Sequence, residues 1–303
     1  MRLYRFLGLP DNRMQKNKVK RQLHFFLQGI KRNELYLQNP LVYNDPFDSK
    51  ALFHNLTDAD MALLKKIRAD FIETEDDPVS IDVFKRLPLD ILPTNRFRTC
   101  CFASENIFQI NDYNIKYSDL MWAHYANNHY GICLEYEFDK DNLLSNFIPQ
   151  NGFYIYIKRT KGKDDMYNPQ VDNQSPPGFK LDICQMCYDT VKEISLPVEN
   201  IDKALTEILT TKPESWKFEK EVRIIAQAPN RCAFSSKATY YLKYKPICLK
   251  KIIFGYRTTE YIKKQVAALV ADFKENEIIL KENRMRSDSR SFYIDDYVPT
   301  NKG

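Results

Sequence analysis

The chain has 303 residues, of which 44% are hydrophobic and 28% are charged, and its formal net charge is +5. This composition is ordinary for a globular protein. Only eight glycines are present, and no two of them lie within five positions of each other. The spacing excludes the dinucleotide fingerprint, the P-loop and the kinase glycine loop, so any bound nucleotide must be held in another way.

The cysteines and the hydropathy pattern indicate where the protein works. Seven cysteines are present, and Cys100 and Cys101 are adjacent, which favours a reducing compartment over a disulfide framework. Cys184 and Cys187 lack a second C-x-x-C pair at zinc-site spacing, so we interpret them as small apolar residues of a helix and predict no metal site. No apolar run approaches the roughly 18–20 residues that a membrane span needs. We therefore expect a cytoplasmic protein that does not bind membranes.

Apolar periodicity, together with turn and capping signals, predicts strands and helices that do not alternate regularly. This order argues against a doubly wound parallel sheet and favours one α+β domain over residues 1–303. Helical insertions are expected at about 57–93 and 163–212. In chain order, the predicted elements are a strand at 3–6, helices at 16–31 and 57–74, a strand at 98–103, a helix at 118–129, strands at 132–138 and 152–158, helices at 181–194 and 201–209, strands at 218–226, 239–244 and 251–254, a helix at 259–274, and strands at 277–281 and 291–294.

The predicted strand at 218–226 carries two carboxylates. Because side chains alternate along a strand, Glu219, Glu221 and Arg223 are expected to share one face. The carboxylates would then lie about 6–7 Å apart. In a cleft, one carboxylate could stabilise a developing positive charge while the other accepts a proton. The alternative interpretation is a half-exposed strand of mixed charge.

The segment 121–131 combines one tryptophan with two histidines, two tyrosines and two asparagines. Aromatic faces and amides suit a planar heterocycle and its ribose, so His124 and Tyr125 are candidate ligand contacts. The alternative is an ordinary helix end in which Trp122 and Tyr125 belong to the core. In either interpretation, Gly131 is expected to end the helix.

Two further positions and one charged stretch complete the candidates. Arg5, on the first strand, is either an ion-pair partner or a clamp for a phosphate. Ser104 ends the predicted strand at 98–103. Between Arg13 and Arg32 there are seven basic residues and no acidic one, which suits a polyanion or simply a solvated helix face.

Five motifs occur in a characteristic order, and together they resemble a bacterial family known as domain of unknown function 2971. The resemblance spans residues 3 to about 294. Two positions depart from the family pattern: Ala103 stands where serine is more usual, and Tyr43 stands where phenylalanine is more usual. The motifs are Leu-Tyr-Arg at 3–5, Asn-Asp-Pro-Phe-Asp at 44–48, Cys-Phe-x-Ser at 101–104, Met-Trp-x-His-Tyr-Ala-x-x-His-x-Gly-x-Cys-x-Glu-Tyr at 121–136 and Trp-x-x-Glu-x-Glu-x-Arg at 216–223.

More distantly, the order of an arginine, a serine and a Glu-x-Glu-Val strand resembles ADP-ribosyltransferases. That resemblance implies a mixed or antiparallel split β-sheet core and NAD as substrate, bound without a glycine-rich loop. It also implies that Arg5 holds an NAD phosphate and that Ser104 contacts the nicotinamide ribose or orients the glutamate. Glu221 would bind the ribose 2′-hydroxyl, and Glu219 would orient or deprotonate the acceptor. Tyr125 or Tyr130 would stack on nicotinamide, and His124 and Asn44 are assigned to the same NAD site.

We therefore expect an NAD-dependent ADP-ribosyltransferase or NAD glycohydrolase, such as a toxin or phage-defence effector, whose acceptor is an unidentified protein or nucleic acid. The alternative is a non-catalytic module that binds nucleic acid or a protein partner through the basic stretch at 13–32. A third hypothesis is a metal-dependent nuclease, because carboxylates suit Mg²⁺. Its ligands would be Asp45, Asp48, Glu219 and Glu221.

Overall fold

The structure is a computed structural model, and several predicted features lie outside the residues it describes. These features are the helix at 57–74, the insertion at 57–93, Asn44 and Asp45. No helix among the described residues is long and apolar enough to span a membrane. The described residues are 1–9, 16–43, 48, 51–53, 97–110, 116–150, 152–158, 179–189, 192–194, 206–228, 234, 238–273, 277–287 and 291–298.

The described chain is mostly strand, with a few helices. A further helical segment occupies 206–209. The main elements, in chain order, are β1 (Arg2–Leu7), α1 (Lys16–Lys31), β2 (Glu34–Leu37), β3 (Ala51–Phe53), β4 (Phe97–Ser104), α2 (Tyr117–His124), β5 (Ile132–Glu137), β6 (Ile155–Lys158), β7 (Lys180–Gln185), β8 (Cys187–Asp189), β9 (Lys192–Ile194), β10 (Thr211–Pro213), β11 (Glu221–Gln227), β12 (Thr239–Lys243), β13 (Leu249–Phe254), α3 (Glu260–Ala271), β14 (Ile279–Met285) and β15 (Phe292–Asp296).

The largest sheet has eight strands in the order β15-β14-β13-β5-β1-β4-β11-β7. Only β13 and β14 pair in parallel in this sheet, and the other neighbours are antiparallel. A separate antiparallel sheet has the order β2-β12-β6. Two short parallel pairs, β3 with β9 and β8 with β10, complete the pattern. The protein is thus an α+β fold with an open mixed sheet, as the irregular order of elements predicts.

Both faces of the eight-stranded sheet are covered. On β5, the residues Ile132, Leu134 and Tyr136 pack into one hydrophobic cluster, as the predicted alternation requires. Cys133 of the same strand packs into a second cluster on the other face, with Phe6 of β1. The central strands therefore have no solvent-facing side, and a polar side chain on them must find a partner or a cavity.

Helices α1 and α3 form where amphipathic periodicity is strong. Helix α1 has the predicted bounds, and its apolar positions Leu23 and Ile30 are buried. Helix α3 begins after Thr259, whose hydroxyl accepts a hydrogen bond from the backbone N–H of Ile262. That interaction is the usual N-cap arrangement of threonine.

The predicted helix at 181–194 is wrong, because this segment forms β7, β8 and β9. Strand β7 pairs antiparallel with β11, so that Cys184 lies opposite Arg223. Pairing with a fully buried strand has overridden the helical pattern. Cys184 and Cys187 therefore lie on strands. The described part of the insertion at 163–212 is mostly strand rather than helical.

The predicted helix at 118–129 ends early, at His124. Asn127, Asn128 and His129 then adopt consecutive left-handed conformations, with φ of 47°, 51° and 71°. Asparagine tolerates this region better than most residues. Gly131 is required for a reason other than ending a helix, since a Cβ there would lie 2.0 Å from the Leu7 carbonyl oxygen.

Replacing Gly131 with alanine is therefore expected to lower the free energy of unfolding by about 3 kcal/mol. The new methyl group would collide with the backbone of β1, which cannot move without breaking its pairing with β5. Gly29 of α1 is the matched control, because nothing lies within 4 Å of a Cβ placed there. Gly29→Ala should raise stability by about 0.5 kcal/mol. Urea denaturation of both variants checks this, and equal stabilities would contradict it.

Candidate active site

A cavity of about 420 Å³ opens where β1, β4 and β11 lie side by side. Ala103 of β4 pairs with Tyr4 on one side and with Glu221 on the other, so β1 and β11 are two strand spacings, about 10 Å, apart. The volume is within the range typical of ligand pockets. Five residues of the predicted NAD site line this cavity, namely Arg5, His124, Tyr125, Glu219 and Glu221, and so does Asp48, the predicted metal ligand.

The two glutamates reach the cavity by different routes. The predicted strand at 218–226 begins only at Glu221, and Glu219 closes a 3-10 turn at Glu214–Glu219. Between them, Lys220 has a φ of 48°. Glu219 and Glu221 therefore do not share a strand face, although both line the cavity. All seven residues of β11 are buried, so the half-exposed strand is also wrong.

Glu221 is held in its charged form by two cations. One carboxylate oxygen accepts from Nε of Arg223 at 2.6 Å, and the other accepts from Nζ of Lys212 at 3.2 Å. Burial alone would raise the pKa of Glu221, but the charges of Arg223 and Lys212 outweigh it and lower that pKa. The carboxylate is therefore ionised at neutral pH.

Glu219 has the opposite electrostatic environment. Its carboxylate accepts from Nζ of Lys212 at 2.5 Å and from the hydroxyl of Tyr125. Burial and the negative charge of Glu221 raise the pKa of Glu219 to about 7. Two neighbouring carboxylates with separated pKa values are typical of sites that divide the acid, base and electrostatic roles.

Sequence analysis missed Lys212, which binds both glutamates. Its ammonium also lies 3.4 Å from Asp48 and 4.8 Å from the centre of the Trp216 ring. The carboxylates raise the pKa of Lys212 against the opposing effect of burial. No spacing signal points to this lysine, because its position depends on the pairing of β10 with β8.

Arg223 also lines the cavity and holds the carboxylates of the network in place. Its side chain is fully buried and donates to Asp48 at 2.6 Å and to the Leu209 carbonyl at 2.7 Å, in addition to Glu221. Sequence analysis proposed Asp48 only as a metal ligand. Here it serves as a carboxylate partner of Arg223 and Lys212.

Arg5 differs from the two other cations of the cavity. It lies on β1, opposite Leu134 of β5, and is partly exposed to the cavity. Among the described residues, no carboxylate pairs with its guanidinium, and the groups that act on its charge are cysteines and tyrosines. Because Lys212 and Arg223 already bind carboxylates, Arg5 is the cation best placed to receive an anionic ligand.

The remaining predicted residues lie elsewhere. Ser104 does not line the cavity, and its buried Oγ has no hydrogen-bond partner in the described part of the chain. Its backbone N–H donates to the Lys220 carbonyl at 2.8 Å. Tyr130 lies outside the cavity, with the Arg257 guanidinium 5.9 Å from its ring centre. Asn44 is outside the described residues.

The fold and the cavity together define an α+β protein with an open mixed sheet and a charged pocket of ligand size. Residues 121–224 match the family model described as protein of unknown function (DUF2971). The resemblance predicted from the motifs is thereby confirmed over a segment that contains Tyr125, Glu219 and Glu221. No curated protein and no solved structure matches the chain.

Proposed function

We propose that the cavity binds NAD, and that the protein is ADP-ribosyltransferase-like, cleaving the nicotinamide–ribose bond and passing ADP-ribose to an acceptor or to water. One observation carries the proposal. Arg5 lines the same cavity as Glu219 and Glu221, although it precedes them by 214 and 216 residues in the chain. Tyr125 and His124 line this cavity as well. The sequence hypothesis requires Arg5, Ser104 and Glu221 to meet at one cleft; Arg5 and Glu221 line the cavity, and Ser104 does not.

The cavity offers a complementary group for each end of the reacting half of NAD. The guanidinium of Arg5, which pairs with no carboxylate of the described residues, suits the diphosphate and can bind it through two parallel hydrogen bonds. The rings of Tyr125 and His124 suit the planar nicotinamide. The glycosidic bond would then lie between the arginine and the glutamates.

Cleavage sends the bonding electron pair of the C–N bond to the pyridinium nitrogen, so neutral nicotinamide leaves and positive charge develops at ribose C1′. Glu221 is ionised and buried, and a fixed negative charge in a low-dielectric site stabilises such a transition state strongly. Oε2 of Glu221 already accepts from Lys212 and from Nη2 of Arg223, whereas Oε1 accepts from Nε of Arg223. The ribose 2′-hydroxyl would therefore donate to Oε1, in place of the weak Cys101 thiol donor if that occupies the same site.

The acceptor completes the reaction by attacking C1′ with a hydroxyl, an amine or water, and it must lose a proton. Glu219 is the base, because its raised pKa allows it to take up a proton near neutral pH. Tyr125 and Lys212 fix its carboxylate through the two hydrogen bonds described above. In the competing nuclease hypothesis, a metal would have to displace Lys212 from both glutamates, so the contacts favour NAD chemistry.

Nicotinamide release is expected to rise with pH through about 7, because Glu219 acts only in its deprotonated form. Glu219→Gln should lower the rate and remove this dependence. Chromatographic assay of nicotinamide from NAD between pH 5.5 and 8.5 tests both statements. Glu214, exposed in the same turn and paired with Lys217, is the matched control, and Glu214→Gln should keep the profile.

The outcomes separate clearly. A pH dependence that persists in Glu219→Gln would remove this residue as the base. Unchanged NAD after incubation with the wild-type protein, with water, mixed proteins and nucleic acids all offered as acceptors, would overturn the proposed function itself.

A further inference from the structure

Three tyrosines form a row on the face of the three-stranded sheet that lies opposite the main core. Tyr241 of β12 lies directly opposite Tyr36 of β2 and directly opposite Tyr156 of β6. Both neighbouring pairs have ring centres 5.9 Å apart. The inner face is apolar and buried, with Leu35, Leu37, Ile155 and Leu242 in the main core. Exposure falls along this tyrosine row: Tyr36 is 38% exposed, Tyr241 is half-buried and Tyr156 is only 9% exposed.

Helix α1 leads to the tyrosine row and carries an exposed basic stripe. Lys20, Arg21 and Lys31 are exposed on the helix, and Arg32 is exposed directly after it. The helix contains no acidic residue. Phe25 lies in the same stripe, 62% exposed, with the Arg21 guanidinium 5.8 Å from its ring centre. We call these five residues the basic stripe.

The stripe and the row are joined by a short turn of the chain. Asn33, with a φ of 56°, turns the chain from the helix directly into β2. Burial raises the pKa of Tyr156 and of Tyr241, and the nearby charge of Arg32 opposes that rise for both. The carboxylate beside the row, Glu34, accepts a hydrogen bond from the Tyr156 hydroxyl at 2.8 Å. The negative charge of Glu34 and the positive charge of Arg32 therefore both act on the row, and Arg32 is the cation through which the basic stripe reaches it.

We propose that the basic stripe and the tyrosine row form a binding surface for single-stranded nucleic acid. Phosphates would lie along the cations of α1, and unpaired bases would stack on the ring of Tyr36 and on the accessible part of Tyr241, with Tyr156 supporting them from the buried end of the row. In a duplex the bases are already stacked and paired, so the rings favour single strands. A protein partner of acidic composition would use the cations but would not need the rings.

Tyr36 belongs to both the tyrosine row and the lining of the cavity. A bound strand would therefore be led towards Glu219 and Glu221. Such a strand could serve as the acceptor of ADP-ribose. This acceptor role rests on the proposed function, whereas the binding of the strand does not. The binding measurements below contain no NAD, so their failure and the failure of NAD cleavage are separate results.

The rings are tested by fluorescence anisotropy with a labelled 20-nucleotide single strand, as DNA and as RNA, and with the matching duplex. Tyr241→Leu should raise the Kd for the single strand about 5- to 100-fold, whereas Tyr241→Phe, which keeps the ring, should bind like the wild type. Tyr256, 44% exposed and outside the row, supplies the control Tyr256→Leu. Thermal unfolding establishes that each variant is folded.

The cations are tested by the salt dependence of binding. The double variant Lys20→Gln/Arg21→Gln should reduce the slope of log K against log salt by about 2. Lys140→Gln/Lys180→Gln, which removes two exposed charges elsewhere, should leave it unchanged. No binding of single strands at low salt, equal affinity for the duplex, or full affinity of Tyr241→Leu would overturn the proposal. Polyglutamate that competes as well as the single strand would indicate an acidic protein partner instead and would also overturn it.

Discussion

Replacing Glu221 with glutamine is expected to lower the rate of nicotinamide release by about a thousandfold. Glutamine keeps the size of the side chain and one carbonyl oxygen for Arg223, but it removes the charge that faces the developing cation. Because the loss concerns the transition state, kcat should fall much more than KM rises. Steady-state measurement with NAD, followed as nicotinamide released, gives both constants.

The matched control for this variant is Glu135 of β5. It is also a buried carboxylate bound by a lysine, with Lys251 at 2.8 Å, but it does not line the cavity. Glu135→Gln should keep activity within about twofold while perturbing the sheet to a similar degree. Equal rates for Glu221→Gln and the wild type would exclude Glu221 from the chemistry, and equal losses in both variants would mean that the effect is structural.

Replacing Arg223 with methionine is expected to lower the free energy of unfolding by about 3–5 kcal/mol. The guanidinium is fully buried and binds both Glu221 and Asp48, so its removal leaves two buried carboxylates with Lys212 as their shared cation. Urea denaturation at pH 7 measures the loss. Arg2→Met, at an exposed position of β1, should change stability by no more than about 0.5 kcal/mol.

Acid should reduce this difference. Arg223 is a main cause of the lowered pKa of Glu221, and a carboxyl group whose pKa is lowered by folding stabilises the protein above its unfolded pKa of about 4.3. That stabilisation is lost as the pH falls below this value. The gap between wild type and Arg223→Met should therefore be largest near pH 7 and shrink below about pH 4. A gap that is independent of pH would mean that lost packing, not charge, is responsible.

Local sequence patterns predicted the elements that depend mainly on residues close together in the chain. Short-range apolar periodicity predicts α1, α3 and β5. Each of these elements lies at nearly the predicted position. In the segment 181–194, by contrast, local periodicity predicts a helix where the structure has strands. Its residues suit a helix locally, but the buried edge of β11 offers unpaired backbone groups, and pairing with them decides in favour of a strand.

The candidate site divides in the same way. Residue types and spacing in the chain made Arg5, Glu219 and Glu221 candidates, but each also fitted an ordinary role, an ion pair for Arg5 and a half-exposed strand of mixed charge for the glutamates. The resemblance to ADP-ribosyltransferases is what joined the three in one predicted site. Their assembly depends on β4, which pairs with both β1 and β11, and the left-handed Lys220 is what lets Glu219 join the cavity despite lying off the strand. Lys212 enters through the pairing of β10 with β8.

The sequence by itself determined the α+β class, the family resemblance over residues 121–224 and the chemical identity of the candidate groups, since these depend on residue type and short-range order. Only the tertiary structure decided which charges neutralise each other and which cation stays available to a ligand. The reason is physical: the pKa of a carboxylate follows burial and the charges within a few ångströms, and here those neighbours come from strands far apart in the chain.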